Sequence, residues 1–139
     1  MDTKGYREAA GCIVVWIDGK ENDKILLLRR CVKETSKHGL WELPGGKLEK
    51  KQTPQQAAVQ ETKEEAGLEP KIIRQLESHI DEGMEKVYHG FIGRIMAKDV
   101  KVKLSEEHDK YSWMTVEDAL SMSEPLSHHA EFLFKQWKV

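Results

Sequence analysis

The segment between Thr53 and Gly67 carries sharp signals for both ends of a helix. Thr53 is a favourable N-cap, Pro54 suits the first helical position, and Gln56 completes a capping box with Thr53. Gly67 can adopt the left-handed conformation that ends many helices. The sequence therefore predicts a helix over residues 54–66, and the other elements must pack around it.

This helix gathers three carboxylates on one side. At 100° per residue, Glu61, Glu64 and Glu65 fall within an arc of about 100°. Like charges at this spacing destabilise an isolated helix by about 0.2–0.5 kcal/mol per pair. A hard cation with oxygen ligands would reverse that sign, because Mg²⁺ is typically held by carboxylates together with phosphates and water. Spacing alone does not establish a metal site, because a solvated acidic face is the commoner reason for such a pattern.

Short apolar segments surround this helix. Residues 9–17 and 24–29 predict a hairpin, with its turn at Asp18-Gly19. Residues 40–43 predict a third strand, ended by Pro44-Gly45-Gly46. Residues 71–80, 86–97 and 110–114 predict further strands, and residues 115–120 and 127–137 predict two more helices. Strands outnumber helices in a mixed order, so the predicted class is α+β, with one domain over residues 1–139.

The segment from Gly46 to Leu68 resembles the Nudix box, G-x5-E-x7-R-E-U-x-E-E-x-G-U, where U is a bulky apolar residue. The residues that match in type and register are Gly46, Glu61, Glu64, Glu65, Gly67 and Leu68. The order of strands extends the resemblance over most of the chain. It implies a Nudix-type mixed sheet packed between helices. It also implies a hydrolase that cleaves a nucleoside diphosphate linked to another group X.

Three residues depart from the box pattern. Gln52 replaces a Glu, Gln60 replaces an Arg, and Thr62 replaces a bulky apolar residue. In the family, that Arg orients the neighbouring Glu, here Glu61. Gln60 keeps a hydrogen-bond donor but lacks the two-pronged, charge-assisted contact of a guanidinium. We therefore expect metal binding with reduced turnover. The alternative is a Nudix-fold module that binds a nucleotide without hydrolysing it.

The resemblance also implies roles for the acidic residues. Glu64 and Glu65 are expected to be the main ligands of Mg²⁺, with Mn²⁺ as the other possible ion. Glu61 is expected to act as a ligand or as the base toward the attacking water. The family often adds a carboxylate from a later loop, where Glu107 is the better match and Glu106 is close behind. The alternative for that loop is a polar segment without a ligand.

A second set of residues is expected to contact the substrate, a nucleoside triphosphate or a dinucleoside polyphosphate. This set consists of Arg29, Arg30, Gly45, Gly46 and Tyr88. Strand alternation places the two arginines on opposite faces, so one of them can contact phosphate. Tyr88 is a candidate base-stacking residue, although packing in a sheet is the commoner role. The histidines are treated as non-catalytic, with His108 beside Glu107 placed to touch a phosphate.

The charge balance restricts the partners. Lys and Arg number 22 against 24 Asp and Glu, so the net charge of −2 argues against a nucleic-acid polymer or an anionic membrane. The longest wholly apolar run has six residues, 12–17, against the ~20 needed to span a bilayer. We expect a cytoplasmic protein with a small nucleotide as its partner, as a monomer or a homodimer.

Overall fold

The computed structural model describes residues 2–17, 23–31 and 39–138. Within these residues the elements are β1 (Arg7–Ile17), β2 (Lys24–Arg30), β3 (Trp41–Glu42), β4 (Gly45–Lys47), α1 (Pro54–Ala66), β5 (Lys71–Gln75), β6 (His79–Asp81), β7 (Lys86–Met96), β8 (His108–Met114), α2 (Val116–Ser121) and α3 (His128–Lys138). The predicted turn at Asp18-Gly19 lies outside the described residues.

Strands β1 and β7 form the centre of a mixed sheet. They run parallel along their whole length, from the pair Arg7–Lys86 to the pair Ile17–Met96. On the far side of β7, both β5 and β6 pair with it in antiparallel orientation. On the far side of β1, β2 pairs with β1 and with β8, again antiparallel. This architecture confirms the predicted α+β class.

Strands β1 and β2 are adjacent at one end and separate toward the other. They pair at Val15 and Trp16, whereas residues 9–11 of β1 pair with β4 and the end of β2 pairs with β3. Residues 41–47 therefore fill the gap between the two strands. The predicted strand over residues 40–43 is β3, which ends before Pro44 as expected. Gly45 and Gly46 were not predicted as a strand, but they begin β4, which pairs with β1 and not with β2. A Cβ on Gly45 would lie 2.5 Å from the carbonyl oxygen of Ala10, so only glycine permits this approach.

The strand predicted over residues 71–80 is two strands, β5 and β6, separated by residues 76–78. The interruption has a tertiary cause. The side chain of Gln136 on α3 accepts a hydrogen bond from the N–H of Glu77 at 2.6 Å and donates one to its carbonyl at 3.0 Å. The two backbone groups at Glu77 are thus satisfied by a helix instead of a neighbouring strand.

Helix α1 confirms the predicted caps. The Thr53 hydroxyl accepts from the N–H of Gln56 at 3.1 Å, and the Gln56 side chain accepts from the N–H of Thr53 at 2.9 Å. Gly67 ends the helix with φ at 71°. Thr62 is fully buried, and its hydroxyl donates to the carbonyl of Ala58 at 2.8 Å. The hydroxyl is therefore satisfied within the helix, and Thr62 can occupy an apolar position.

The helices cover both faces of the sheet. Helix α1 packs against a cluster that includes Cys12 and Val14, whereas α3 packs against a cluster that includes Ile13 and Val15. Because successive residues of a strand point to opposite faces, these two clusters lie on opposite sides of β1. Among the described helices, none is both long enough and apolar enough to cross a bilayer.

Candidate active site

The acidic side of α1 meets the sheet at β4. Glu65 is only 4% exposed, and its Oε1 accepts a hydrogen bond from the backbone N–H of Gly45 at 2.8 Å. The contact is possible because the helix packs on the sheet through small residues, Ala57, Ala58 and Ala66, all fully buried. The carboxylate of Glu65 is therefore fixed against the backbone of the central sheet.

The carboxylate of Glu61 lies over Gly46. A Cβ on Gly46 would come within 2.6 Å of Cδ of Glu61, so a larger residue would displace the carboxylate. Burial raises the pKa of Glu61, and the negative charges of Glu64, Glu107 and Glu49 raise it further. The two glycines of β4 therefore each contact one carboxylate of α1, Gly45 through its backbone N–H and Gly46 because it carries no side chain that would occupy the space.

Glu107 brings a further carboxylate to this site. Ligand atoms of Glu65, Glu107 and His108 all lie within 4.8 Å of one another. Burial is the main cause that raises the pKa of Glu65 to about 9, and a hydrogen bond with Glu107 raises it as well, whereas the N–H of Gly45 opposes the shift. In the absence of a cation, burial therefore favours the protonated form of Glu65.

Glu64 differs from Glu65 in being exposed to solvent. Its Oε1 accepts a hydrogen bond from Nε2 of Gln60 at 2.9 Å, one helical turn away. Gln60 in turn accepts from Nε2 of Gln52 at 2.6 Å. The resemblance implied that residue 60 orients Glu61, but the hydrogen bond goes to Glu64.

These donors fit a hard divalent cation. Several carboxylate oxygens converge, one of them is buried, and among the described residues no ion pair joins Glu61, Glu64 or Glu65 to a lysine or arginine. Buried carboxylates without such partners are costly unless a metal compensates their charge. Carboxylate oxygens are also the ligands that Mg²⁺ prefers.

His108 and Glu42 are neighbours of this cluster that sequence reasoning did not assign to it. The side chain of His108 is fully buried, and Nε2 lies 2.8 Å from Oε2 of Glu42. Nδ1 of His108 has no hydrogen-bond partner among the described residues. The imidazole is enclosed in this structure, and a contact between His108 and a phosphate stays a prediction. Its adjacency to Glu107 in the sequence was the available signal.

A cavity of about 620 Å³ opens beside β4, between the sheet and the start of α3. The residues around it include Arg30, Glu42, Gly45, Gly46, Tyr88 and His129. The imidazole of His129 stacks on the ring of Tyr88, with centroids 4.3 Å apart and planes 5° apart. Tyr88 is 7% exposed, so one face of its ring is already covered. His129 was not predicted as a site residue.

The two predicted arginines have separate surroundings. Arg29 forms a two-pronged ion pair with Asp109, with both N–O distances at 2.9 Å, and it does not line the cavity. Arg30 does line the cavity, and its Nε lies 3.3 Å from Oε2 of Glu42. Its Nη1 lies 3.9 Å from Oε2 of Glu107. The structure therefore brings Arg30, and not Arg29, to the described cavity and to the acidic cluster.

Comparisons with known proteins agree with this fold. A family model of the NUDIX domain matches residues 5–136. A CTP pyrophosphohydrolase of Escherichia coli (strain K12) is 31% identical over 107 residues, which cover 72% of this chain and 73% of that relative. Diphosphoinositol polyphosphate phosphohydrolase 2 of Mus musculus is 28% identical over 140 residues, which cover 96% of this chain and 72% of that relative.

A solved structure extends the likeness to three dimensions. The crystal structure of a C. elegans Ap4A hydrolase binary complex matches with a TM-score of 0.74 and 25% identity, covering 94% of this chain and 95% of that chain. The chain belongs to the Nudix family of pyrophosphohydrolases. The resemblance of the segment from Gly46 to Leu68 is thereby confirmed at the level of the family.

Proposed function

We propose that this protein is a divalent-metal-dependent pyrophosphohydrolase of a nucleoside diphosphate linked to X. The observation that carries the proposal is the convergence of Glu61, Glu65 and Glu107 beside the two glycines of β4. The two glycines that the cluster contacts also line a cavity large enough for a small ligand. A site that collects several carboxylates next to such a cavity suits a substrate whose phosphates are neutralised by metal ions.

The proposed roles follow from the surroundings of each carboxylate. Glu64 and Glu65 are the main metal ligands, and Glu107 is preferred over Glu106 because its ligand atom lies close to that of Glu65. Glu61 is a ligand, or the base that takes a proton from the attacking water. When bound, Mg²⁺ or Mn²⁺ neutralises the phosphate charge and lowers the pKa of water.

The residues around the cavity are proposed to orient the substrate. Arg30 offers a guanidinium to a phosphate oxygen, and the backbone of Gly45 and Gly46 allows close approach because no side chain intervenes. Tyr88 and His129 form an aromatic wall for the rest of the substrate. We propose that Arg30 is the main residue of this set that contacts a phosphate. Arg29 has a structural role through its ion pair with Asp109.

The proposed substrate is a nucleoside triphosphate or a dinucleoside polyphosphate. The CTP pyrophosphohydrolase and the Ap4A hydrolase among the similar proteins support these two classes. The diphosphoinositol polyphosphate phosphohydrolase makes a third class worth testing. The substrates of all three classes contain a phosphoric anhydride bond, so the same proposed chemistry applies to each. The residues that line the cavity are expected to select among these substrates.

A hydrolysis panel tests the proposal. Nucleoside triphosphates, dinucleoside polyphosphates, sugar nucleotides and diphosphoinositol polyphosphates are incubated with Mg²⁺ or Mn²⁺, and the products are separated by chromatography. We expect cleavage at an anhydride bond that requires the metal and is lost in Glu64→Gln. Equal activity of wild type and Glu64→Gln at matched metal concentration would remove this site from the reaction.

The second candidate function is a nucleotide-binding module without turnover. It is favoured by the hydrogen-bonded pair Gln52–Gln60, which replaces the charged pair of the box pattern. The double variant Gln52→Glu/Gln60→Arg separates the two functions. A large gain in hydrolysis identifies a weakened enzyme, whereas metal-dependent nucleotide binding without hydrolysis in both forms identifies the binding module.

A further inference from the structure

The two polar residues that depart from the box pattern contact each other and a carboxylate of the site. Nε2 of Gln52 donates to Oε1 of Gln60 at 2.6 Å, and Nε2 of Gln60 donates to Oε1 of Glu64 at 2.9 Å. At the other end, the backbone N–H of Glu49 donates to Oε1 of Gln52 at 2.9 Å. We call these four residues, Glu49, Gln52, Gln60 and Glu64, the amide relay.

The direction of the amide relay is determined at its backbone end. A primary amide has one acceptor end and one donor end. Because the N–H of Glu49 can only donate, Oε1 of Gln52 must face it and Nε2 of Gln52 must face Gln60. The same constraint turns Nε2 of Gln60 toward Glu64. The relay therefore presents a donor to the carboxylate of Glu64.

We propose that Gln52 and Gln60 act as one positioning unit for Glu64, with Gln52 acting through the orientation of the Gln60 amide. This inference rests on the proposed function, in which Glu64 is a metal ligand. Glu64 is exposed, and an exposed Glu side chain samples several rotamers unless a partner restrains it. Holding Oε1 through Gln60 leaves Oε2 in one region of space for a cation.

The charges at positions 52 and 60 give a physical reason for exchanging the Glu and the Arg of the box pattern together. A Glu–Arg pair and a Gln–Gln pair have the same net charge of zero. An Arg at position 60 without a Glu at position 52 would place an unbalanced cation beside Glu64 and would compete with a metal ion. A Glu at position 52 alone would lack the donor that Gln60 now accepts from, so the Gln60 amide would turn its oxygen toward Glu64. Each single exchange therefore disturbs the carboxylate.

The experiment measures Mn²⁺ binding by isothermal titration calorimetry on the full chain. Its variants are Gln60→Met, Gln52→Met and the double variant, which remove the amides and keep an unbranched side chain. Gln55→Met is the matched control, because Gln55 is exposed on the first turn of the same helix. Urea unfolding is measured on every variant, so that a change in stability is seen separately from a change in affinity.

We expect Gln60→Met to weaken Mn²⁺ binding about 10-fold, the lower end of the effect of partners that orient metal ligands. Gln52→Met should weaken it less, and the double variant should match Gln60→Met alone. In hydrolysis, kcat should fall while KM for the nucleotide stays the same. Gln55→Met should leave the affinity unchanged.

Two results would overturn the relay while leaving the proposed function in place. One is that wild type binds Mn²⁺ and Gln60→Met binds it with the same affinity. The other is an effect of Gln52→Met that is equally large in the wild-type and Gln60→Met backgrounds, since two residues acting in series cannot have additive effects. A wild-type protein that neither binds Mn²⁺ nor hydrolyses a nucleotide would instead overturn both proposals.

A second, independent experiment restores the charged residues of the box pattern at positions 52 and 60. Gln60→Arg alone should bind Mn²⁺ more weakly than wild type, because the guanidinium pairs with Glu64. Adding Gln52→Glu should recover the affinity by drawing the guanidinium away. Equal affinity of the single and double variants would contradict coupling between positions 52 and 60.

Discussion

Helices α1 and α3 cover opposite faces of the same sheet with different kinds of residue. The buried face of α1 is made of small residues such as Ala57 and Ala58, whereas that of α3 includes Leu133 and Phe134. Small residues let a helix lie close to the sheet, so the carboxylates of α1 reach the backbone of β4. Large residues bury more apolar surface but keep the helix farther away, and the cavity opens beside the start of α3. We infer that α1 supplies the carboxylates of the site, whereas α3 mainly buries apolar surface and contributes His129 to the wall of the cavity.

The largest expected effect is on the α3 side. Phe134 is fully buried, so Phe134→Ala should lower the free energy of unfolding by about 3–5 kcal/mol. Hydrolysis at a temperature well below the unfolding midpoint should change little, because α1 and β4 are not touched. Urea unfolding and initial rates measure the two effects, with the half-buried Phe132→Ala as a milder control. A loss below about 1 kcal/mol would contradict the assignment of stability to α3.

The second effect is on the chemistry of α1. Glu64→Gln should reduce kcat at least about 100-fold, since partners of metal ligands already cost 10–100-fold. This corresponds to about 2.7 kcal/mol of activation free energy. Because Glu64 is exposed, the unfolding midpoint should hardly change. Glu69→Gln, an exposed glutamate beyond the helix, is the control and should keep full activity.

A third change tests the distance between α1 and the sheet. Ala58→Leu should cost about 1–3 kcal/mol of stability by overpacking, and it should weaken Mn²⁺ binding because α1 moves away from β4. The matched change on the other face is Ala130→Leu, at a position that is also fully buried. Ala130→Leu should lower stability without changing Mn²⁺ affinity. Equal effects of the two variants on affinity would break the comparison between the helices.

The smallest expected effect concerns the exposed pair of Arg29 and Asp109. Hydrogen bonding to Arg29 lowers the pKa of Asp109 below its ordinary value of 3.8. The ionised form of Asp109 is thus favoured in the folded state. The pair therefore contributes its full stabilisation above pH 3.8, and this stabilisation is lost as the pH falls through the lower pKa of Asp109 in the folded protein. Asp109→Asn should reduce stability slightly at neutral pH, with no difference from wild type at the most acidic pH. A difference in stability between wild type and Asp109→Asn that grows on acidification would contradict this prediction.

The sequence predicted the parts of the fold that depend on neighbouring residues. The caps at Thr53 and Gly67 were correct, because a capping box and a left-handed glycine involve residues within one turn. The three strands that were predicted less accurately depend on distant partners. Residues 45–47 form a strand only because β1 separates from β2. The strand predicted over residues 71–80 is interrupted at Glu77, because the side chain of Gln136 binds its backbone.

The candidate site divides in the same way. Helical geometry places Glu61, Glu64 and Glu65 within one arc, so the sequence was enough to predict that they lie on one side of the helix. The sequence could not distinguish Glu65, buried at β4, from the exposed Glu64, since this depends on how α1 is rotated against the sheet. Nor could it predict that His129 would meet Tyr88, because these residues come from separate elements.

The sequence by itself determined the family, the capped helix and the acidic residues at fixed spacing along it. These properties are local, because hydrogen bonds and side-chain periodicity within one helix need no knowledge of the rest of the chain. Only the tertiary structure decided which carboxylate is buried, that Arg30 lines the cavity and that Gln52 and Gln60 form a relay to Glu64. Those contacts depend on strand register and helix rotation, which are set by burial of the two clusters on opposite faces of the sheet.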